Sequence, residues 1–247
     1  MELIKSKTLE QYDVSSVEVI LSSSTPVMAE QVEAVKKRFP NLRDVFQIYG
    51  TTEAGNTCNE LHAPLGPRDG SVGTPSHGFV FKVVDIDTRL PLGPNQRGEI
   101  CFKSPSLFSG YLGIHNRDHL DSEGFFKSGD VGYYDDDKYF YVINRVKELI
   151  KYNDASIAPA ELEAILVQHP RVREAGVVGE PRADCGEAPT AFVARTPEGT
   201  VEERELVDFL HSRITYKMRL AGGVRFVDRL PRGAGDKLDR RALKLML

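Results

Sequence analysis

Within the first fifty residues the apolar pattern changes from strand-like to helical and back, and this order constrains the fold more than any other feature. VEVILSSS at 17–24 reads as a buried strand. From Met28 to Phe39 the apolar residues Val32, Val35 and Phe39 fall at helical spacing, and VFQIY at 45–49 reads as a second strand. A strand, helix, strand order returns the second strand parallel to the first, so an α/β sheet is expected. From Gly70 to Tyr141 the punctuation changes. FVFKVVD at 79–85 and GEICFK at 98–103 flank the turn-rich LPLGPNQRG, which predicts a β-rich subdomain of short strands.

After Tyr141 the charged segment INRVKELIKYNDASIAP leads into a helix opened by Pro159, with Leu162, Ile165 and Leu166 on one face. Strands GVVG (176–179) and TAFVAR (190–195) follow. A further helix is expected near Thr200, with Thr200 and Glu203 as a capping box and Leu206, Phe209, Leu210 and Ile214 as its core face. VRFVD at 224–228 is a last strand before a loop and a basic C-terminal helix. Turn and charge signals meet at Arg145–Lys147, which divides the chain into 1–144 and 145–247. A length of 247 residues suits about two such domains.

Composition narrows the class. With 32 basic against 36 acidic residues and no dense Lys/Arg block, a nucleic-acid surface is not expected. No apolar run approaches the roughly 20 residues of a membrane span. The three cysteines, Cys58, Cys101 and Cys185, are dispersed and odd in number, which argues against a disulfide framework and for a reducing compartment. Residues 1–20 lack a secretory-leader pattern, and the final Lys-Leu-Met-Leu matches a peroxisomal address only loosely. A cytoplasmic location is therefore expected, with the peroxisome as the alternative.

Four segments carry the chemistry: YGTTEAG at 49–55, KSGDVGYY at 127–134, NRVKELIKYNDASIAPAELE at 144–163 and LPRGAGDKLDRRAL at 230–243. Each alone has a plainer reading. YGTTEAG could be a polar turn and SGD a turn aspartate. Arg145 could pair with Glu148 at i,i+3, and KELIK could be a solvated amphipathic stretch. Lys237 could be one more basic residue beside Arg240, Arg241 and Lys244 on a solvated helix face. Taken in order, with GSVGTP and RGEI…GYLG between them, the segments resemble the adenylate-forming superfamily of acyl-CoA synthetases, 4-coumarate–CoA ligases and beetle luciferases. The resemblance runs from about Leu9 to Leu243.

The resemblance implies an α/β remnant of a large N-terminal AMP-binding domain with a β-rich subdomain (1–144), then a small α+β C-terminal lid (145–247). It also implies an acid–thiol ligase. A small-molecule carboxylic acid attacks the α-phosphate of ATP, pyrophosphate leaves, and the acyl-AMP passes its acyl group to coenzyme A. Such chemistry rests on positioning and on cations set against oxyanion charge. By resemblance, Tyr49 packs on adenine beside Gly50, Thr52 bonds the α-phosphate, and Glu53 helps to hold Mg2+. Asp130 accepts both ribose hydroxyls, and Arg145 assists at ribose and phosphate. Lys147 is the hinge position, Lys151 serves the second half-reaction, and Lys237 is the catalytic lysine of adenylation, on a loop able to enter and leave.

Departures from the family pattern temper this. The Ser/Thr/Gly-rich phosphate loop has no counterpart here. SSSTPVM at 22–28 has neither Gly nor Lys and aligns with an acyl-pocket segment, Ser23 and Ser24 replacing glycines. The chain therefore reads as the C-terminal portion of such an enzyme, weak or inactive alone, with exposed sheet edges that favour self-association. Ile48 stands where a glycine is usual and Asn144 where an aspartate is. Asp154 and Asp236 replace glycines, and Ser156 a glutamine. A non-catalytic isoform or pseudoenzyme is one alternative, and a luciferase-like oxygenase another. Asp135, Asp136 and Asp137 are expected at a hairpin tip, since the remainder of a calcium loop is missing. The six histidines have no metal-ligand spacing, and Cys185 lacks a nearby histidine.

Overall fold

The computed structural model describes residues 8–23, 27, 29–113, 118–197, 199–215, 218–233 and 236–247. Positions 24–26 and 28, within the segment aligned with the acyl pocket, lie outside the described residues. Contacts divide the chain into two units, Met1–Val142 and Ile143–Leu247.

In the first unit, β1 (Val19–Ser22) pairs parallel with β2 (Asp44–Thr51), in register from Val19↔Asp44 to Ser22↔Gln47. Parallel neighbours need a crossover, and α1 (Ala29–Lys36) supplies it. Val35, Phe39 and Val45 are buried there, with Ile20 and Val32 packed against them. β2 turns back into β3 (Gly55–Asn59), and β4 (Thr74–Pro75) completes the sheet in the order β1-β2-β3-β4. The β-rich segment is a four-stranded sheet of β5 (Val80–Val84), β6 (Gly98–Lys103), β7 (Phe126–Tyr134) and β8 (Phe140–Arg145). Its core is aromatic: Phe102 lies 5.4 Å from both Phe81 and Phe126, centroid to centroid.

Asp135–Lys138 form the β7–β8 hairpin tip. Asp135 accepts from the Asp137 and Tyr139 N–H groups (3.0 and 2.9 Å), while the Arg68 guanidinium grips Asp135 and Asp137 at 2.7 and 2.6 Å. These carboxylates close a turn and hold an arginine.

In the second unit, β9 (Ile150–Tyr152) and β10 (Ala155–Ile157) form a short hairpin. α2 (Pro159–Leu166) begins with proline at its first turn and buries Leu162 and Leu166 completely. β11 (Val172–Arg182) and β12 (Gly186–Arg195) make a long antiparallel pair, and β13 (Val224–Val227) joins β12 in parallel. Leu206 and Leu210 of α3 (Glu203–His211) complete the core with Val177, Ala191 and Val193. Burying each leucine stabilises the unit by about 1.5–3 kcal/mol.

Two sequence expectations are corrected here. The Thr200–Glu203 capping box does not form. Glu202 is the N-cap without a side-chain bond, and the Glu203 carboxylate instead accepts the Val224 N–H at 2.9 Å. Because the helix begins at Glu203, that residue occupies the first helical position and not the third, out of place to close a box with Thr200. Nor is the C-terminal helix α4 (Arg240–Lys244) solvated on its Arg240 side. The Arg240 guanidinium binds both oxygens of Glu163, donates to Glu148 at 2.9 Å, and donates to the Val177 carbonyl at 3.1 Å. Among the described residues no helix is long and apolar enough to cross a membrane.

Candidate active site

YGTTEAG forms the β2–β3 hairpin. A Cβ at Gly50 would lie 2.4 Å from the Gly55 carbonyl oxygen, so this close approach requires glycine. The pairing bulges between Tyr49 and Gly50, and the tip runs from Thr52 to Ala54, whose N–H donates to the Thr51 carbonyl at 3.2 Å. Thr52 is thereby exposed. Glu53 is half-buried, its Oε1 accepting a 2.6 Å bond from the Tyr111 hydroxyl. Tyr111 is braced edge-on against Phe108, 4.7 Å away.

The segment Ser128–Gly129–Asp130 is itself a bulge. Between the pairs Glu99↔Val131 and Cys101↔Lys127, β6 advances two residues while β7 advances four. Gly129 takes the left-handed conformation (φ 70°), and the ladder loses its regular partners. Side chains replace them. The Ser128 hydroxyl donates to the Ile100 carbonyl (2.6 Å) and accepts the Asp130 N–H (3.0 Å), while Glu99 accepts the Gly129 N–H (3.0 Å). All three side chains are buried.

The bulge carries Asp130 to Tyr49. The Tyr49 hydroxyl donates to Asp130 Oδ2 at 2.6 Å, joining residues 81 positions apart. Burial of the hydroxyl, reinforced by the adjacent Asp130 charge, pushes the Tyr49 phenol well above its usual range. An aromatic ring and an acceptor-rich carboxylate thus share one place in the first unit, beside the Gly50–Glu53 turn.

The other sequence-predicted residues belong to the second unit. Arg145 and Lys147 are exposed at a single 3-10 turn, Val146–Glu148. Glu148 pairs with Arg240, so no pairing with Arg145 is needed to account for it. Lys151 reaches across the β9–β10 hairpin and donates to the Ser156 hydroxyl at 2.7 Å. The left-handed residue of that turn is Asn153 (φ 50°), so the neighbouring Asp154 adds charge and bulk without backbone strain. Lys237 is exposed, in a loop closed by the Arg232↔Leu238 bridge and by the Gly233 N–H on its own carbonyl (2.8 Å). Asp236 before it has φ 59°.

Two family models match the chain: AMP-binding enzyme over residues 1–112, and the AMP-binding enzyme C-terminal domain over residues 161–237. The chain belongs to the adenylate-forming superfamily. Among its relatives in this superfamily is luciferin 4-monooxygenase of Luciola mingrelica, 42% identical over 99% of this chain and 45% of that protein. Another is 4-coumarate–CoA ligase of Pinus taeda, 37% identical over 100% of the chain and 46% of the relative. ATP-bound MatB from Rhodopseudomonas palustris is a structural match with TM-score 0.84 at 28% identity, covering 92% of this chain and 45% of its own. O-succinylbenzoate coenzyme A synthetase from Bacillus subtilis in complex with AMP has TM-score 0.80 at 30% identity, covering 96% and 48%. The chain therefore spans less than half the length of these relatives.

Three residues beside the candidate positions were not anticipated from the sequence. Tyr111 holds Glu53, Glu99 holds the bulge before Asp130, and Arg240 anchors the helix after Lys237. Only Glu99 left a signal, a lone carboxylate inside the apolar run GEICFK.

Proposed function

We propose that this chain is the C-terminal portion of an acid–thiol ligase of the acyl-CoA synthetase type. Residues 1–144 belong to its AMP-binding domain and 145–247 form its lid. The observation that supports this best is the Tyr49–Asp130 hydrogen bond. It sets a ring suited to stacking on adenine next to a carboxylate able to accept a ribose diol, at the place where the sequence motifs put both. Thr52 offers its exposed hydroxyl to the α-phosphate. Lys237 supplies the cation of the adenylation step, and Arg145 assists at ribose and phosphate. Lys147 lies at the turn about which the lid swings. Lys151, oriented by Ser156, serves transfer to coenzyme A.

Among the described residues no three His, Cys, Asp or Glu side chains converge as a metal cage. A single glutamate at a hairpin tip fits Mg2+, which takes one or two carboxylates and draws its other ligands from phosphate and water. Glu53 would hold it, and the bound ion would neutralise developing phosphate charge. Tyr111 fixes the rotamer of Glu53 for that purpose.

ATP–pyrophosphate exchange over a panel of carboxylic acids tests the reading. The 247-residue chain, lacking a Ser/Thr/Gly-rich phosphate loop, is expected to exchange weakly while binding AMP. Failure to bind AMP, or loss of none of that binding in Asp130→Asn, would defeat the assignment. An oxygenase reading draws on the 42% identity to luciferin 4-monooxygenase. Light emission with luciferin and ATP would favour it, and acyl-CoA formation without light would favour the ligase.

A further inference from the structure

Glu99 is a charged side chain near the start of the largely apolar strand β6, only 6% exposed. Such burial is costly unless both oxygens are engaged. Here both are, and in different directions. Oε1 accepts the Gly129 N–H at 3.0 Å, and Oε2 receives the Arg89 guanidinium.

Arg89 is itself placed with some effort. It is a non-glycine residue at φ 63°, in the loop after β5, and its N–H donates to the Asp85 carbonyl at 3.0 Å. The Asp85 carboxylate secures the loop by accepting from the Thr88 N–H (2.7 Å) and hydroxyl (2.9 Å). A strained arginine held against a buried carboxylate, which in turn grips the bulge, is more than β-sheet pairing requires.

Of the bulge's free N–H groups, Gly129's is satisfied by Glu99 and Asp130's by Ser128. Glu99 therefore fixes the peptide immediately before Asp130, at the left-handed residue that sets its direction. We propose that Glu99 is a positioning residue for the Asp130 carboxylate and, through the Gly129 amide, sets the strength with which this site recognises a ribose diol. The proposal rests on the reading of Asp130 as the ribose acceptor. Glu99 itself touches no substrate.

Calorimetric titration of the 247-residue chain with AMP and with 2′,3′-dideoxy-AMP isolates this role. The ratio of the two affinities reports the diol contact alone. Wild type should favour AMP. Glu99→Ala should lower that preference about tenfold, the scale of one charge-assisted hydrogen bond, with dideoxy-AMP affinity unchanged. Glu99→Gln keeps an acceptor for Gly129 but weakens the hold of Arg89. It should lower the preference about threefold, and it decides the matter if melting shows that Glu99→Ala does not fold. An unchanged ratio in the folded variant, or an equal loss for both nucleotides, overturns the proposal. Asp130→Asn separates the two levels. If it abolishes the preference while the Glu99 variants retain it, only the role of Glu99 falls. If wild type shows no preference, or binds neither nucleotide, the ribose reading of Asp130 falls and takes this proposal with it.

Discussion

The Tyr49 hydroxyl and the Asp130 carboxylate are 2.6 Å apart, one on β2 and the other in the bulge of β7, so their hydrogen bond links the two sheets of the first unit at the candidate nucleotide site. The bond has a consequence for pH. Burial and the Asp130 charge raise the Tyr49 pKa in the folded state, whereas the unfolded phenol titrates near its ordinary value. A group with a raised folded pKa contributes fully below its unfolded pKa and loses that contribution as pH rises beyond it. Stability should therefore fall above about pH 10. Tyr49→Phe should remove part of that fall while costing about 1.5–3 kcal/mol at neutral pH, where the buried carboxylate loses its donor. Urea unfolding of both proteins at neutral and alkaline pH checks this. Parallel curves across the alkaline range would contradict it.

Arg240 lies 77 residues from Glu163 and 92 from Glu148, yet it binds both, so it closes the second unit on itself. Replacing it with methionine leaves Glu163 charged and largely buried without its partner. That should cost about 3–5 kcal/mol. The double variant Arg240→Met with Glu163→Met should recover much of the loss, because removing both charges also removes the burial cost. Denaturant midpoints of the single and double variants decide. If the double variant is as unstable as the single one, the ion pair is not what holds α4.

These two relationships show what could be read from the chain and what could not. The β1–α1–β2 crossover was legible because apolar spacing is local: Val32, Val35 and Phe39 mark a helix whatever lies elsewhere. Two motif residues of the first unit, Tyr49 and Asp130, stand out in the sequence by their segments, and the folded chain brings them together. Arg240 was not legible. A basic residue in the run DKLDRR reads as solvated until its acidic partners, far upstream, are known to converge on it. Glu203 failed for a related reason: its capping-box pattern is local, but the Val224 N–H that takes its carboxylate is 21 residues away. Glu99 sits between the cases, conspicuous in its strand but silent about what it holds.

The β1 edge gives a further expectation. Among the described residues β1 pairs only with β2, and its Leu21 is 52% exposed. An open strand edge with an apolar side chain invites pairing with another chain. Sedimentation should show concentration-dependent association, reduced by Leu21→Lys. A monodisperse monomer over the whole concentration range would remove the edge as a contact.

Asp236 joins a backbone cost to an electrostatic one. At φ 59° it occupies the left-handed region, where glycine is at ease and a side chain is strained, although aspartate tolerates it better than most. The Arg232 guanidinium, donating to the Asp236 carbonyl at 3.1 Å, and the Gly233 N–H on the Lys237 carbonyl hold the loop in this shape. Asp236→Gly should raise stability by up to about 1 kcal/mol, since strain is removed while the greater freedom of glycine in the unfolded chain offsets part of the gain. The carboxylate also stands one residue from Lys237, where it weakens the attraction of that amine for phosphate. Asp236→Asn keeps the backbone geometry and removes only the charge. Both variants should therefore tighten nucleotide binding, with the difference from wild type shrinking as salt is added, whereas only Asp236→Gly should raise the melting temperature. If Asn leaves nucleotide affinity unchanged and Gly raises it, strain rather than charge is the brake on Lys237. If neither variant binds nucleotide more tightly, the amine does not meet phosphate and the catalytic role proposed for it is wrong.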